Sequence, residues 1–255
     1  MRNMVAVSTC LISVFAVLFF TNYGYTEIDL STAVGIWLFE EGSGTTAKDS
    51  SGNGNDGTLQ GGAAWTADGK SGGAIEFNGT DACVETGEKL LDGLEEFTII
   101  AWINPNGLTG GRIGLVGQND SPEFGINPAG TIALWTPTGG TVAHPYDHPD
   151  GEWHLVAGVA DENGKTTYVD KDSTSGGDAG NHGSSDFGVN IGGCGIWDAE
   201  GNWFTGGIDD VAIFHSALTA DDIAFLVDNG LRAVITAVEP AGKLAVSWGA
   251  IKYAK

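Results

Sequence analysis

Positive charge is scarce in this chain. It carries 11 Lys and Arg against 33 Asp and Glu, a formal net charge of −22. Phosphate backbones and anionic membrane surfaces are held by cationic neutralisation, so nucleic acid and anionic lipid are disfavoured as partners. Divalent cations and neutral ligands fit better. Proline is scarce at 7 residues, and the 41 glycines follow no Gly-X-Y period, which excludes collagen. An apolar run from Val5 to Phe20 follows Arg2. It is short of the ~20 residues that a membrane-spanning helix needs. Gly24 and Thr26 are small residues ahead of a cut before Glu27, so residues 1–26 read as a secretory signal peptide. A retained N-terminal anchor is the alternative. Cysteine is scarcer still, with 3 residues, and Cys10 falls inside the apolar run. Cys83 and Cys194 remain. In an exported protein they read as one disulfide, and two buried free thiols are the other reading.

What the chain has in abundance is short apolar segments separated by Gly, Asn and Asp. "AVGIWLFE" reads as a buried strand. "GGAIEFNG" and "ACVET" are short strands around a turn at Asn78-Gly79. "EFTIIAWINP" is the strongest strand pattern: Phe97, Ile99 and Ala101 alternate with Thr98, Ile100 and Trp102, and Pro105 ends it. "RIGLVGQ", "EFGINPAGTIALWTP", "EWHLVAGVADENGKTTYVDKD", "DFGVNIGG" and "WFTGGIDDVAIF" continue the series. Such spacing predicts an all-β sandwich. One helix is expected in "ALTADDIAFLVDNGL": Thr219 is the N-cap, Asp222 stands three residues on, and Gly230 is the natural C′ residue. The tail, residues 232–255, alternates around "PAGK" and reads as a hairpin or a short attachment segment.

The stretch "KDSSGNGNDGTL", residues 48–59, gathers oxygen donors: Asp49, Ser51, Asn53, Asn55 and Asp56. Ca²⁺ takes about 6–8 such oxygens. Asp49, Ser51, Asn53 and Gly54 match the first half of a Ca²⁺ loop signature, but Gln60 stands at the twelfth position and no helices flank the loop, so this is not an EF-hand. A turn capped by its own Asx side chains is the competing reading.

Several blocks, in order, resemble the LamG-like jelly-roll domain of the concanavalin A-like lectin/glucanase superfamily. They are "GIWLFEEGSGTTAKDSSGNGNDGTL", "GGAIEFNGTDACVET", "FTIIAWINP", "GEWHLVAGVADENGKTTYVD" and "FTGGIDDVAIFHSALTADDI", together spanning residues 33–231. The chain departs where Asp170-Lys171 replaces the family's Asp-Gly, and where Cys83 replaces a common aromatic. The resemblance implies a two-sheet antiparallel jelly-roll sandwich with one short C-terminal helix. It also implies a structural Ca²⁺ tying an N-terminal loop to the last strand, with Glu40, Asp49, Asn53 and Asp209 as ligands. It does not fix one function, because the fold hosts lectins, glycan-cleaving enzymes and adhesion modules.

For catalysis, a retaining glycosidase needs two carboxylates ~5–5.5 Å apart. On a strand that calls for acids at i and i+2, which no strand here shows. "LEEF" and "IDDV" hold adjacent acids, expected to face opposite ways. His144, Tyr146, Asp147 and His148 are interleaved with Pro145 and Pro149, in what reads as an extended rim loop. Trp135, Tyr146, Trp197 and Trp203 fall at or near turns and are candidate stacking platforms for sugar, while Trp37, Trp102 and Trp153 read as core. The expectation is a secreted or cell-surface, non-catalytic module binding extracellular carbohydrate. A protein-interaction or adhesion domain is the alternative, and a glycan-cleaving enzyme a third reading.

Overall fold

A computed structural model describes residues 28–236 except 109, 110, 129 and 179–181. The proposed signal segment and most of the tail lie outside these residues. The strands are β1 (Ala33–Trp37), β2 (Thr46–Ala47), β3 (Gly57–Gln60), β4 (Ala64–Thr66), β5 (Ala74–Asn78), β6 (Cys83–Glu85), β7 (Phe97–Pro105) and β8 (Ile113–Gly117). They continue with β9 (Glu123–Asn127), β10 (Thr131–Thr136), β11 (Gly140–Pro145), β12 (His154–Asp161), β13 (Gly164–Val169), β14 (Asp172–Gly176), β15 (Asn190–Ile191) and β16 (Thr205–Phe214), and the helix α1 spans Ala220–Asn229.

Two antiparallel sheets face each other. The first runs β14–β13–β12–β7–β16–β5–β4, with β1 also paired to β16. The second runs β11–β10–β9–β8–β15–β6–β3–β2. Alternation along the strands sends Phe97, Ile99, Ala101 and Ile103 of β7 inward, with Val211 and Ile213 of β16, against Leu115, Phe124 and Leu134 of the second sheet. The opposite parity of β7 and β16, Ile100, Trp102, Ala212 and Phe214, lies on the outer face of the first sheet.

That outer face is capped at one end by α1. Thr219 and Asp222 close a reciprocal capping box, and Gly230 ends the helix at φ 77°. Ile223 and Leu226 pack on Ile36, Ile100 and Phe214, together with Ile28 and Val234. The expected strand alternation from residue 232 onward does not hold where the chain is described: residues 231–236 are helical. Leu231 and Val234 are drawn onto the same apolar face as α1, which a helical spacing satisfies and an edge strand would not. Cys83 and Cys194 form a disulfide with Cα atoms 5.8 Å apart, possible because β15 pairs with β6 directly before Cys194.

Candidate functional site

The other end of that outer face is open. Gly207 of β16 stands in register with Glu76 of β5 on one side and Asn104 of β7 on the other. The missing side chain matters: a Cβ at Gly207 would lie 2.8 Å from the Trp153 ring, so glycine is what lets the indole lie against the strand. At Gly206, φ is +122° and a Cβ would lie 2.2 Å from the Asn104 carbonyl oxygen, which again demands glycine. Together with Thr66, Asp68, Asn106 and Asp150, these residues line a cleft of about 330 Å³. Asp150 is fixed there by accepting a 2.8 Å hydrogen bond from the Gly107 N–H. Glu76 keeps an exposed side chain, yet the cleft walls push its carboxyl above the ordinary value. The cleft thus offers an indole between carboxylates and amides.

Trp153, expected in the core, is a half-buried wall of this cleft. Of the four aromatics proposed as platforms, the structure brings two together. Trp135 of β10 and Trp197 share an apolar patch with Ala133 and Ile196 on the outer face of the second sheet. Trp197 is only 5% exposed, and its Nε1 donates to the Ile113 carbonyl, so its face is not open. It belongs to a loop laid over Gly114, Gly117 and Gly125, where any Cβ would collide with Ile196 or Trp197. Arg112 pairs with Asp198 at 2.5 Å and lies over the Trp197 ring, pinning the loop's far side. Trp135 is half-buried and stands in register with Glu123. Glu123 is 3% exposed, and burial pushes its carboxyl up to about 8 even though the Asp120 N–H donates to it. Trp203 packs against Gly193 beside the disulfide, and Tyr146 lies apart, after β11.

The four residues read as Ca²⁺ ligands divide into two networks. In the loop, Asp49 accepts from Ile36 N, Ser51 N, Ser51 Oγ and Asn55 N, all at 2.8–3.0 Å. Asn53 donates to the Ala33 carbonyl. Chain donors therefore already occupy the acceptor positions of Asp49. Glu40 and Asp209 converge elsewhere, on Arg232: Glu40 at 2.5 Å, Asp210 at 3.2 Å and Asp209 at 3.8 Å. The expectation that the two acids of "IDDV" face opposite ways fails. The pairing of β16 with β7 shifts register between Asp209 and Ala212, and Asp210 sits at φ 45°. This bulge turns both carboxylates toward one guanidinium. Burial pushes both carboxyls above the usual range, and the Asp210 charge pushes Asp209 further. Glu76, Asn104 and Asp210 were missed by sequence reasoning. The paired glycines of "FTGGIDD" were the signal that a bulky neighbour crosses the strand there.

These features define a jelly-roll sandwich with a polar, tryptophan-walled cleft on one face. The chain belongs to the concanavalin A-like lectin/glucanase superfamily, whose sequence profile matches residues 78–224. Among solved structures it is similar to domain 4 of AbnA, a GH43 extracellular arabinanase from Geobacillus stearothermophilus, determined in complex with arabinotriose. The TM-score is 0.61 at 20% identity, over 77% of this chain and 98% of that one. It is also similar to the binding domain of Paraclostridial Mosquitocidal Protein 1, with a TM-score of 0.59 at 15% identity, over 78% of this chain and 52% of that one. A Trypanosoma rangeli sialidase variant displaying trans-sialidase activity gives 0.55 at 12% identity, over 77% of this chain and 33% of that one. Similarity at these identities speaks for the fold alone. Curated proteins give no significant sequence match. No helix among the described residues is long and apolar enough to cross a membrane.

Proposed function

We propose that this is an exported, non-catalytic module that binds neutral carbohydrate in the cleft over Gly207. The observation that carries the reading is the indole of Trp153, set between Glu76 and Asn104. A sugar ring presents an apolar face to an aromatic and hydroxyls to amides and carboxylates, which is this arrangement. The arabinotriose complex of the AbnA domain lends support by analogy. The adjacent acids of β16 are engaged with Arg232 rather than turned into the cleft. Export is supported by the disulfide, which persists in oxidising compartments. Arg232 supplies the positive charge at the acidic corner of Glu40, Asp209 and Asp210, so this reading places no Ca²⁺ there.

The test is calorimetric titration with arabinotriose and a panel of neutral polysaccharide fragments. Trp153→Ala and, to leave the sheet's packing intact, Asn104→Ala should each weaken the best ligand by about tenfold or more, from a lost stacking or hydrogen-bonding contact. Unchanged binding in both variants would move the site away from the cleft. No binding by the parent chain to any glycan would favour a protein partner.

A further inference from the structure

At one open end of the sandwich lies a cluster that the cleft does not use. His154 heads β12, and its Nδ1 is 2.8 Å from Asp170 Oδ2. The Leu155 N–H holds the other oxygen of that carboxylate at 3.0 Å. At the opposite edge of the ring, Nε2 is buried with no hydrogen-bond partner among the described residues, and Glu152 Oε2 stands 3.8 Å away. The exposed His148 stacks on His154 with ring centroids 3.8 Å apart. Tyr146 sets its edge against both rings, at 5.2 and 6.0 Å, and its hydroxyl is likewise buried and unpartnered among the described residues. One ligand atom from each of His148, His154 and Asp170 lies within 4.8 Å of the others. The sequence pattern alone pairs His148 with His144. The fold separates them: His144 belongs to β11 and bonds Thr174 instead.

We propose that His148, His154 and Asp170 form a zinc site. Zinc binds imidazole nitrogen at ~2.0–2.1 Å and carboxylate oxygen at ~2.0–2.2 Å in a tetrahedron, so its ligand atoms stand about 3.3 Å apart. The Nδ1–Oδ2 separation of 2.8 Å needs only a small opening to admit the ion. His148 is exposed on a loop and turns in from its stacked position. Glu152 is placed to accept the Nε2–H of His154, the carboxylate that fixes a ligating imidazole's tautomer. A water supplies the fourth ligand. Two imidazoles select zinc over Ca²⁺ and Mg²⁺, which take oxygen sets. Binding would tie the segment 146–154 to the turn after β13.

The experiment is calorimetric titration of chelator-treated full chain with zinc chloride, beside His148→Ala and His144→Ala. One zinc per chain is expected. His148→Ala should weaken it at least about tenfold, the scale seen when a metal site loses supporting groups, while His144→Ala leaves it unchanged. X-ray absorption of the zinc-loaded chain should show two imidazoles. His148 is exposed, so circular dichroism of its variant should match the parent. Absence of micromolar zinc binding by the parent overturns the proposal, as does equal weakening by the two alanine variants.

Discussion

Glu123 gives the sharpest test of the electrostatic reasoning. It is 3% exposed on the outer face of the second sheet, and burial raises its carboxyl from 4.5 to about 8. A folded-state value above the unfolded one means that the folded chain holds this proton more tightly. The contribution to stability is then fully present below the unfolded value of 4.5 and is lost as pH rises through about 8. A shift of this size corresponds to roughly 5 kcal/mol at pH 9. Glu123→Gln keeps an acceptor for the Asp120 N–H and removes the charge. The variant should match the parent near pH 4.5 and exceed it at pH 9. With an m-value of about 2–3 kcal/mol/M for a domain of this size, the urea midpoints should differ by about 2 M at the higher pH. The assay is urea unfolding of both proteins at several pH values, with the disulfide intact. The difference between the two proteins isolates Glu123 from other titrating groups. Equal midpoint differences at pH 4.5 and 9, or a variant weaker than the parent at pH 9, would refute the reasoning.

Two further outcomes are expected. Arg232→Leu leaves Glu40, Asp209 and Asp210 without their shared cation, at a cost of about 3–5 kcal/mol when the acids are ionised. Because burial raises both aspartates, their protonation below neutrality relieves the loss, so the variant's deficit in thermal midpoint should be larger at pH 8 than at pH 5. A pH-independent deficit would mean that Arg232 acts by packing alone. Reducing Cys83–Cys194, which spans a separation of 111 residues, should lower stability by roughly 2–5 kcal/mol, read as a shift in urea midpoint with and without thiol. An unchanged midpoint would make the bridge incidental.

Much of the fold could be read from the chain because its evidence is local. The alternation of "EFTIIAWINP" gave β7, and Thr219 with Asp222 gave the start of α1. Strands whose pairing carries them were missed. In β14, "DSTSG", every residue is exposed and no apolar period marks it; it exists because β13 offers a partner edge. The site was less legible for the same reason. Glu76 and Asn104 lie 28 residues apart in sequence, and only their shared register with Gly207 joins them. The bulge at Asp210 defeated a simple parity rule. The loop "KDSSGNGNDGTL" could be read in its residues but not its outcome, since the Ile36 N–H that helps saturate Asp49 comes from a different strand.

Three of the four end strands of the two sheets offer little to a neighbour. β14 is wholly exposed and polar, and β2 and β4 are two and three residues long. An unpaired strand edge is a template for another chain, and short or polar edges blunt it. A second molecule adding to β14 would bury hydroxyls and glycine rather than apolar surface, and would bring up its own net charge of −22. Edge-to-edge association is therefore blunted at three of the four sheet ends and is left to β11, which is six residues long and closes with Pro145.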